Sequence, residues 1–144
     1  MVDNDRVSIA KGQLMTQPAT SLDHASILSA LTDELRPVFE GSPQGIYIYL
    51  DETHKVCNQK FAEMLGYDSP DDWNRPGSFT EQYVAPDSRS TLVSTYQHAM
   101  QHQVGAAVEV TWKRRDGATV PTQTILVPIA KAGELIALHF VTPS

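Results

Sequence analysis

The side chains best placed to do chemistry gather on one stretch, Ala106 to Ile129. Val108, Val110 and Trp112 alternate with Glu109, Thr111 and Lys113, the period-two pattern of a half-buried strand. Asp116-Gly117 follows, a dipeptide that tolerates the positive φ of a type I′ turn. On the return arm Thr122, Thr124 and Leu126 point inward, while Ile125, Val127 and Ile129 point outward. A purely structural core favours Val or Ile at inward positions, because a buried hydroxyl without a partner costs roughly 1–3 kcal/mol. Thr122 and Thr124, beside Tyr96 and Trp112, therefore read as the wall of a cleft for a small polar or aromatic molecule. The competing reading is that these hydroxyls bond one another, backbone or buried water. Phe61, Leu65, Tyr83, Val108 and Val110 complete the expected lining.

Other reactive side chains carry less. His98 and His102 have the i, i+4 spacing of a metal pair, but both face away from the apolar stripe of their helix and lack a third ligand, so no metal site is expected. Lys113-Arg114-Arg115 beside Asp116 reads as an anion grip or as a solvated hairpin tip that blunts the sheet edge. Asp71 and Asp72 complement a helix start. Cys57 reads as a small buried hydrophobe. Glu109 and His139 are the carboxylate and histidine that strands place near the sheet centre. An acid–base enzyme would need one of them inside the cleft, and Glu109 alternates outward. Gly-rich phosphate loops, Gly-x-Ser-x-Gly and paired cysteines do not occur, so the chain is not read as an enzyme.

The 144 residues carry a net charge of −6 and are 41% hydrophobic, with a pI near 5.2. That supports one domain with a real core and argues against nucleic acid or an anionic membrane as partner. A single cysteine fits a reducing compartment, and no apolar run spans a bilayer. The expected location is the cytoplasm.

Residues 1–20 show no periodicity and read as a flexible tail. From 21 to 40, His24, Leu28, Leu31, Leu35 and Val38, with Ile27 and Phe39, form the stripe of an amphipathic helix capped by Ser21 or Asp23 and interrupted near Pro37. Leu28, Leu31 and Leu35 serve either packing within the domain or pairing with a second copy, together with outward Ile125 and Val127. Residues 41–144 read as the main folded domain. Ile46–Leu50 and Lys55–Cys57 are strands. Asn58 and Ser69 cap short helices, Phe79–Val84 is a third, and a longer helix runs from about Arg89 to His102. Its stripe is Leu92, Val93, Tyr96, Ala99 and Met100. The hairpin and a last strand, Leu135–Val141, follow. Two strands, a run of helices and three strands indicate an α+β fold with an antiparallel sheet. Its second apolar face needs a cover, for which the N-terminal helix is the candidate.

Phe39 to Ile46 leading into the first strand, Asn58, Phe61 to Pro70, Ala85-Pro86-Asp87-Ser88 and the hairpin ending in Lys113 to Gly117 together resemble a PAS domain over about Leu35 to Thr142. The resemblance implies a five-stranded antiparallel sheet in the order 2-1-5-4-3, with a ligand cleft between sheet and short helices. It also implies signalling through flanking helices, often as a homodimer, to an output domain such as a kinase, cyclase or transcription regulator. The haem, flavin and chromophore attachment patterns of the family do not match His98, His102 or Cys57, so no cofactor is expected. Three functions follow: a ligand-binding sensory module, a dimerisation module without a ligand, and, as the least favoured, a small cone-shaped isomerase or hydratase.

Overall fold

The computed structural model describes residues 23–144. The tail at 1–20 and the Ser21 cap lie outside the described residues. Helices α1 (His24–Glu34) and α2 (Arg36–Gly41) lead into strands β1 (Gly45–Asp51) and β2 (His54–Cys57). Four helices follow: α3 (Gln59–Met64), α4 (Pro70–Trp73), α5 (Phe79–Tyr83) and α6 (Pro86–His102). Strands β3 (Ala106–Lys113), β4 (Thr119–Lys131) and β5 (Glu134–Pro143) complete the fold. The five strands form one antiparallel sheet in the order β2-β1-β5-β4-β3.

Side-chain chemistry accounts for the element boundaries. Asn58 caps α3 by accepting from the Phe61 amide at 2.9 Å, and the same oxygen accepts from Ile46 N at 3.0 Å. Its amide group donates to Phe39 O and Gln44 O, both at 3.1 Å. One side chain thus ties α2, β1 and α3 together. Ser69 caps α4 through the Asp72 amide at 3.1 Å. Helix α6 begins earlier than expected, at Pro86, because proline fits the first helical turn, where its missing N–H has no intrahelical partner.

The hairpin tip differs from the expected type I′ turn. Gly117 N donates to Arg114 O at 3.0 Å, and Gly117 alone among the tip residues has positive φ, at 91°. That is a type I turn closed by a left-handed glycine, the usual three-residue solution. The type I′ geometry occurs instead at Ala132 and Gly133, with φ of 53° and 81°, between β4 and β5.

The sheet has two covered faces. On one, α3 to α6 enclose an aromatic layer of Tyr47, Phe61, Trp73, Phe79, Tyr83 and Trp112. On the other, α1 lays Leu28 and Leu31 on Ile46, Ile48, Leu50, Ile136 and Leu138, with Leu35, Phe39, Val127 and Ile129 partly buried around them. The N-terminal helix is the cover that the second apolar face required. This corrects the pairing reading for Leu28 and Leu31: at 9% and 3% exposure they are consumed within the domain, each burial contributing roughly 1.5–3 kcal/mol. Of the five positions expected at a dimer contact, Ile125 is the one left open, at 47% exposure. Val38 and Val93, expected in helical stripes, are likewise exposed.

Candidate functional site

The inward row of the hairpin points as expected, but most of it packs against other side chains. Trp112 Nε1 donates to Thr122 Oγ1 at 2.9 Å, and that hydroxyl donates to Val110 O at 2.8 Å, with Thr124 Oγ1 3.3 Å away. The threonines are therefore the internal partners of a buried indole and a strand carbonyl. Phe61 packs 5.0 Å from Tyr47 and 5.2 Å from Trp112 between ring centroids. Tyr83 stacks on Trp73 at 5.0 Å and hydrogen-bonds its carbonyl. Leu65, Val108 and Leu126 are buried in the same interior. Large rings fill the space that the alternation pattern leaves open, so Phe61, Leu65, Tyr83, Val108, Trp112, Thr124 and Leu126 pack into the interior. Val110 and Thr122 also border a polar recess beside Ser88, Thr91 and Ser144.

The open space lies further along the sheet, between β1, β5 and α6. This cavity has a volume of about 250 Å³. Tyr47 and Tyr49 come from β1, Glu52 from the turn after it, and Phe79 and Thr80 from α5. Leu92, Val93, Tyr96 and Gln97 come from α6, and His139 from β5. Tyr96 is the one residue of the expected lining that this cavity includes. A larger groove beside α2 and α3 is bordered by Arg36, Glu40, Lys60 and Glu63 and is a solvated, charged surface.

Strand register sets the cavity wall. Tyr47 and His139 are directly paired across β1 and β5, and their rings stack at 3.9 Å with a 7° tilt. Tyr96 meets Tyr49 edge-on at 5.6 Å, which closes the far side. Glu52 accepts from the Phe79 amide at 3.0 Å and so fastens α5 to the β1–β2 turn. Burial pushes the hydroxyls of Tyr47, Tyr49 and Tyr96 up from their usual value, so they stay protonated. Burial also depresses the His139 imidazole to about 3, with only partial compensation from the backbone of Tyr47 and Ala137. His139 is 2% exposed, and its Nδ1 has no hydrogen-bond partner. The wall is aromatic, and it includes a neutral imidazole whose Nδ1 is buried without a partner.

His139 was legible in sequence as a histidine near the sheet centre, and it is within the cavity wall. Glu109 is exposed and takes a hydrogen bond from Gln123 at 3.0 Å. His98 and His102 are exposed, with ring centroids 4.5 Å apart. The basic tip is not free in solvent. Arg114 donates to Met64 O at 2.6 Å, Arg115 pairs with Asp72 at 2.7 Å, and Lys113 donates to Glu81 O at 2.6 Å. These bonds lock the hairpin over α3, α4 and α5. Lys55, only 2% exposed, was not foreseen as buried; its ammonium donates to Arg75 O at 2.9 Å and Glu52 O at 3.2 Å.

A second polar cluster joins α1 to the sheet. His24 Nδ1 lies 2.6 Å from Asp51 Oδ2, and His54 Nδ1 lies 2.8 Å from Asp51 Oδ1. Glu134 Oε2 is 3.4 Å from His24 Nε2. Partial burial opposes ionisation of Asp51, yet bonds from His24, His54 and Thr53 outweigh it and hold the carboxyl well below its usual range.

Residues 33–97 match the family described as PAS domain. The PAS domain of an HTR-like protein from Haloarcula marismortui is 26% identical, with a TM-score of 0.60 over 81% of this chain and 94% of that one. The chain contains a PAS domain. Two further structures share the PAS fold at lower identity. A sensory box histidine kinase/response regulator from Burkholderia thailandensis is 20% identical, with a TM-score of 0.55 over 78% of this chain and 83% of that one. The ethanol-complexed PAS domain of a LuxR-family transcriptional regulator from Burkholderia thailandensis is 16% identical, with a TM-score of 0.58 over 75% and 95%. No curated protein matches the chain. PAS domains are sensory and regulatory modules and are generally non-enzymatic. No described helix of this one is long and apolar enough to cross a membrane.

Proposed function

We propose that this PAS domain is a sensory module that takes a small, largely apolar molecule with one hydrogen-bonding group into the cavity between α6 and the β1–β5 pair. The observation that carries this reading is His139, a buried imidazole whose unpartnered Nδ1 belongs to an aromatic cavity wall. An orphaned buried polar atom costs roughly 1–3 kcal/mol, and a ligand group that hydrogen-bonds to it, as donor or acceptor according to the tautomer, would remove that cost. At about 250 Å³ the space lies just below the usual range of ligand pockets, about 300–1,000 Å³. That size suits a compact alcohol or a single-ring phenol or azole.

The relay would run through the β1–β2 turn. Glu52 of that turn borders the cavity, and its neighbour Asp51 holds His24 of α1 and is itself held by His54. An occupant that shifts Tyr49 or Glu52 thus acts one or two residues away from the contact that docks α1. Helix α1 would then report to an output domain, a kinase, cyclase or transcription regulator. A second reading, a dimerisation module without a ligand, is favoured by the exposed Ile125 on the outer sheet face.

The test is NMR titration with phenol and imidazole as probes, alongside native mass spectrometry of protein purified from cells. The sensory reading expects saturable shifts at His139, Tyr49 and Tyr96, weakened at least tenfold by Val93→Trp, which fills the mouth from a partly exposed position. Absence of saturable shifts, together with no retained small molecule and a dimer lost on Ile125→Asp, would favour the association reading.

A further inference from the structure

We propose that His24, Asp51 and His54 form a binding site for a first-row divalent cation, which fastens α1 to the sheet. The proposal is independent of what occupies the aromatic cavity. The three residues come from the first turn of α1, the end of β1 and the start of β2. One ligand atom from each lies within 4.8 Å of the other two. Two imidazoles and a carboxylate are a donor set for Zn²⁺ and its neighbours, with further positions left to water.

The arrangement has the supporting contact that such sites require. A metal-bound imidazole normally gives its other nitrogen to a carboxylate, which fixes the tautomer and the ring plane. Glu134, from β5, sits 3.4 Å from His24 Nε2, on the far side of the ring from Asp51. That contact leaves His24 Nδ1 as the ligand nitrogen, and Nδ1 is the atom turned toward Asp51 at 2.6 Å. His54 likewise turns Nδ1 inward, 2.8 Å and 3.0 Å from the two Asp51 oxygens. A tetrahedral ion with ligand distances of about 2.0–2.1 Å holds its ligand atoms roughly 3.3 Å apart. Opening the present hydrogen-bonded distances by well under 1 Å is a side-chain adjustment. The three side chains are each about one-third exposed, which leaves an access path. Glu134 and the net charge of −6 favour a cation.

The ion would displace the protons now shared between Asp51 and the two imidazoles, two of which leave to solvent when both rings are protonated. Since His24 is the only member on α1, loading the site would raise the free energy needed to undock that helix.

The experiment uses the full chain, stripped with a chelator, in a His98→Gln/His102→Gln background. This removes the exposed histidine pair on α6, whose rings lie 4.5 Å apart and could compete for Zn²⁺. Zn²⁺ is titrated by calorimetry, and Co²⁺ by visible absorption. The proposal expects saturable one-to-one uptake, at least tenfold weaker in His24→Gln and in His54→Gln, and weaker by a smaller factor in Glu134→Gln. Both histidines are partly exposed, so folding of the variants is checked by circular dichroism. As a second readout, Zn²⁺ should shift the His24 and His54 ring resonances of the background protein. No saturable uptake by the background protein, or uptake unchanged by both histidine substitutions, overturns the site.

Discussion

Acidification should destabilise this domain through one residue, His139. Its imidazole is fully buried, and burial depresses its pKa from 6.5 to about 3. In the unfolded chain it titrates at its ordinary value of about 6.5. Between those values the unfolded chain holds a proton that the folded chain refuses. Stability is therefore fully present above the unfolded value, falls as pH drops below it, and stops falling near the folded value. At about pH 4.5, two units below the unfolded value, the loss is roughly 2.5 kcal/mol at about 1.36 kcal/mol per unit. For a domain of this size that lowers Tm by roughly 10 °C.

Carboxylates also titrate in this range, so the measurement must be a double difference. Urea unfolding at neutral pH and at about pH 4.5 is compared between the wild type and His139→Gln, which keeps a polar group but cannot gain the proton. The variant should be less stable at neutral pH, because its amide enters the stack with Tyr47. Its further loss on acidification should be smaller than that of the wild type by about 2.5 kcal/mol. By NMR, the His139 ring protons should keep their neutral-form shifts down to that pH. Equal acid losses in the two proteins, or a His139 resonance that titrates near its ordinary value, would refute the account of a dry, neutral imidazole. The cavity proposal would then lose the orphan nitrogen it rests on.

Leu31→Ala should cost about 2–4 kcal/mol in urea unfolding with no change in oligomeric state by light scattering, since Leu31 packs on its own sheet. Gly45→Ala should cost about 1–3 kcal/mol, because a Cβ there would sit 3.0 Å from Phe61 Cδ1 and 3.2 Å from its backbone. Gly117→Ala should cost roughly 1 kcal/mol from its positive φ alone. Arg115→Ala should change stability by less than about 1 kcal/mol, because the Asp72 pair is partly exposed and the Arg115 amide keeps its bond to Leu65 O at 2.8 Å.

The fold was legible because its signals are local. Alternation along β3 and β4, the caps at Asn58 and Ser69, and the break near Pro37 each act within a few residues. The second covered face was legible by elimination, since Ile125, Val127 and Ile129 could not all face water. The site was not legible in the same way. Which inward residues meet empty space and which meet one another depends on the volumes supplied by other elements. Trp73, from α4, and Phe79, from α5, fill the region under Trp112, and no periodicity within the hairpin reports on that. Thr122 read as polar and inward, which is correct, but its partner is the Trp112 indole from the facing strand. His24 looked like one more member of a helical stripe. Its polar role emerges only when the β1–β2 turn folds back to put Asp51 against it.

On the sensory reading proposed above, the β1–β2 turn would carry a displacement from the cavity to α1. Four consecutive residues there face different ways: Asp51 and His54 toward α1, Glu52 toward the cavity, and Thr53 back onto Asp51 Oδ1 at 3.0 Å. The Thr53 and His54 amides and the Thr53 hydroxyl all donate to that one oxygen. The turn therefore has little freedom to absorb a displacement internally. Glu52 is pinned at its other end by the Phe79 amide, and its carbonyl accepts from the buried Lys55 ammonium. A push from the cavity on Glu52 must move Phe79, break the Lys55 contact or shift Asp51. Among these, Phe79 and Lys55 are held by the buried aromatic layer, whereas Asp51 is partly exposed. On that reading the response would fall at the His24 contact, the polar point where α1 joins the sheet beside the packing of Leu28 and Leu31.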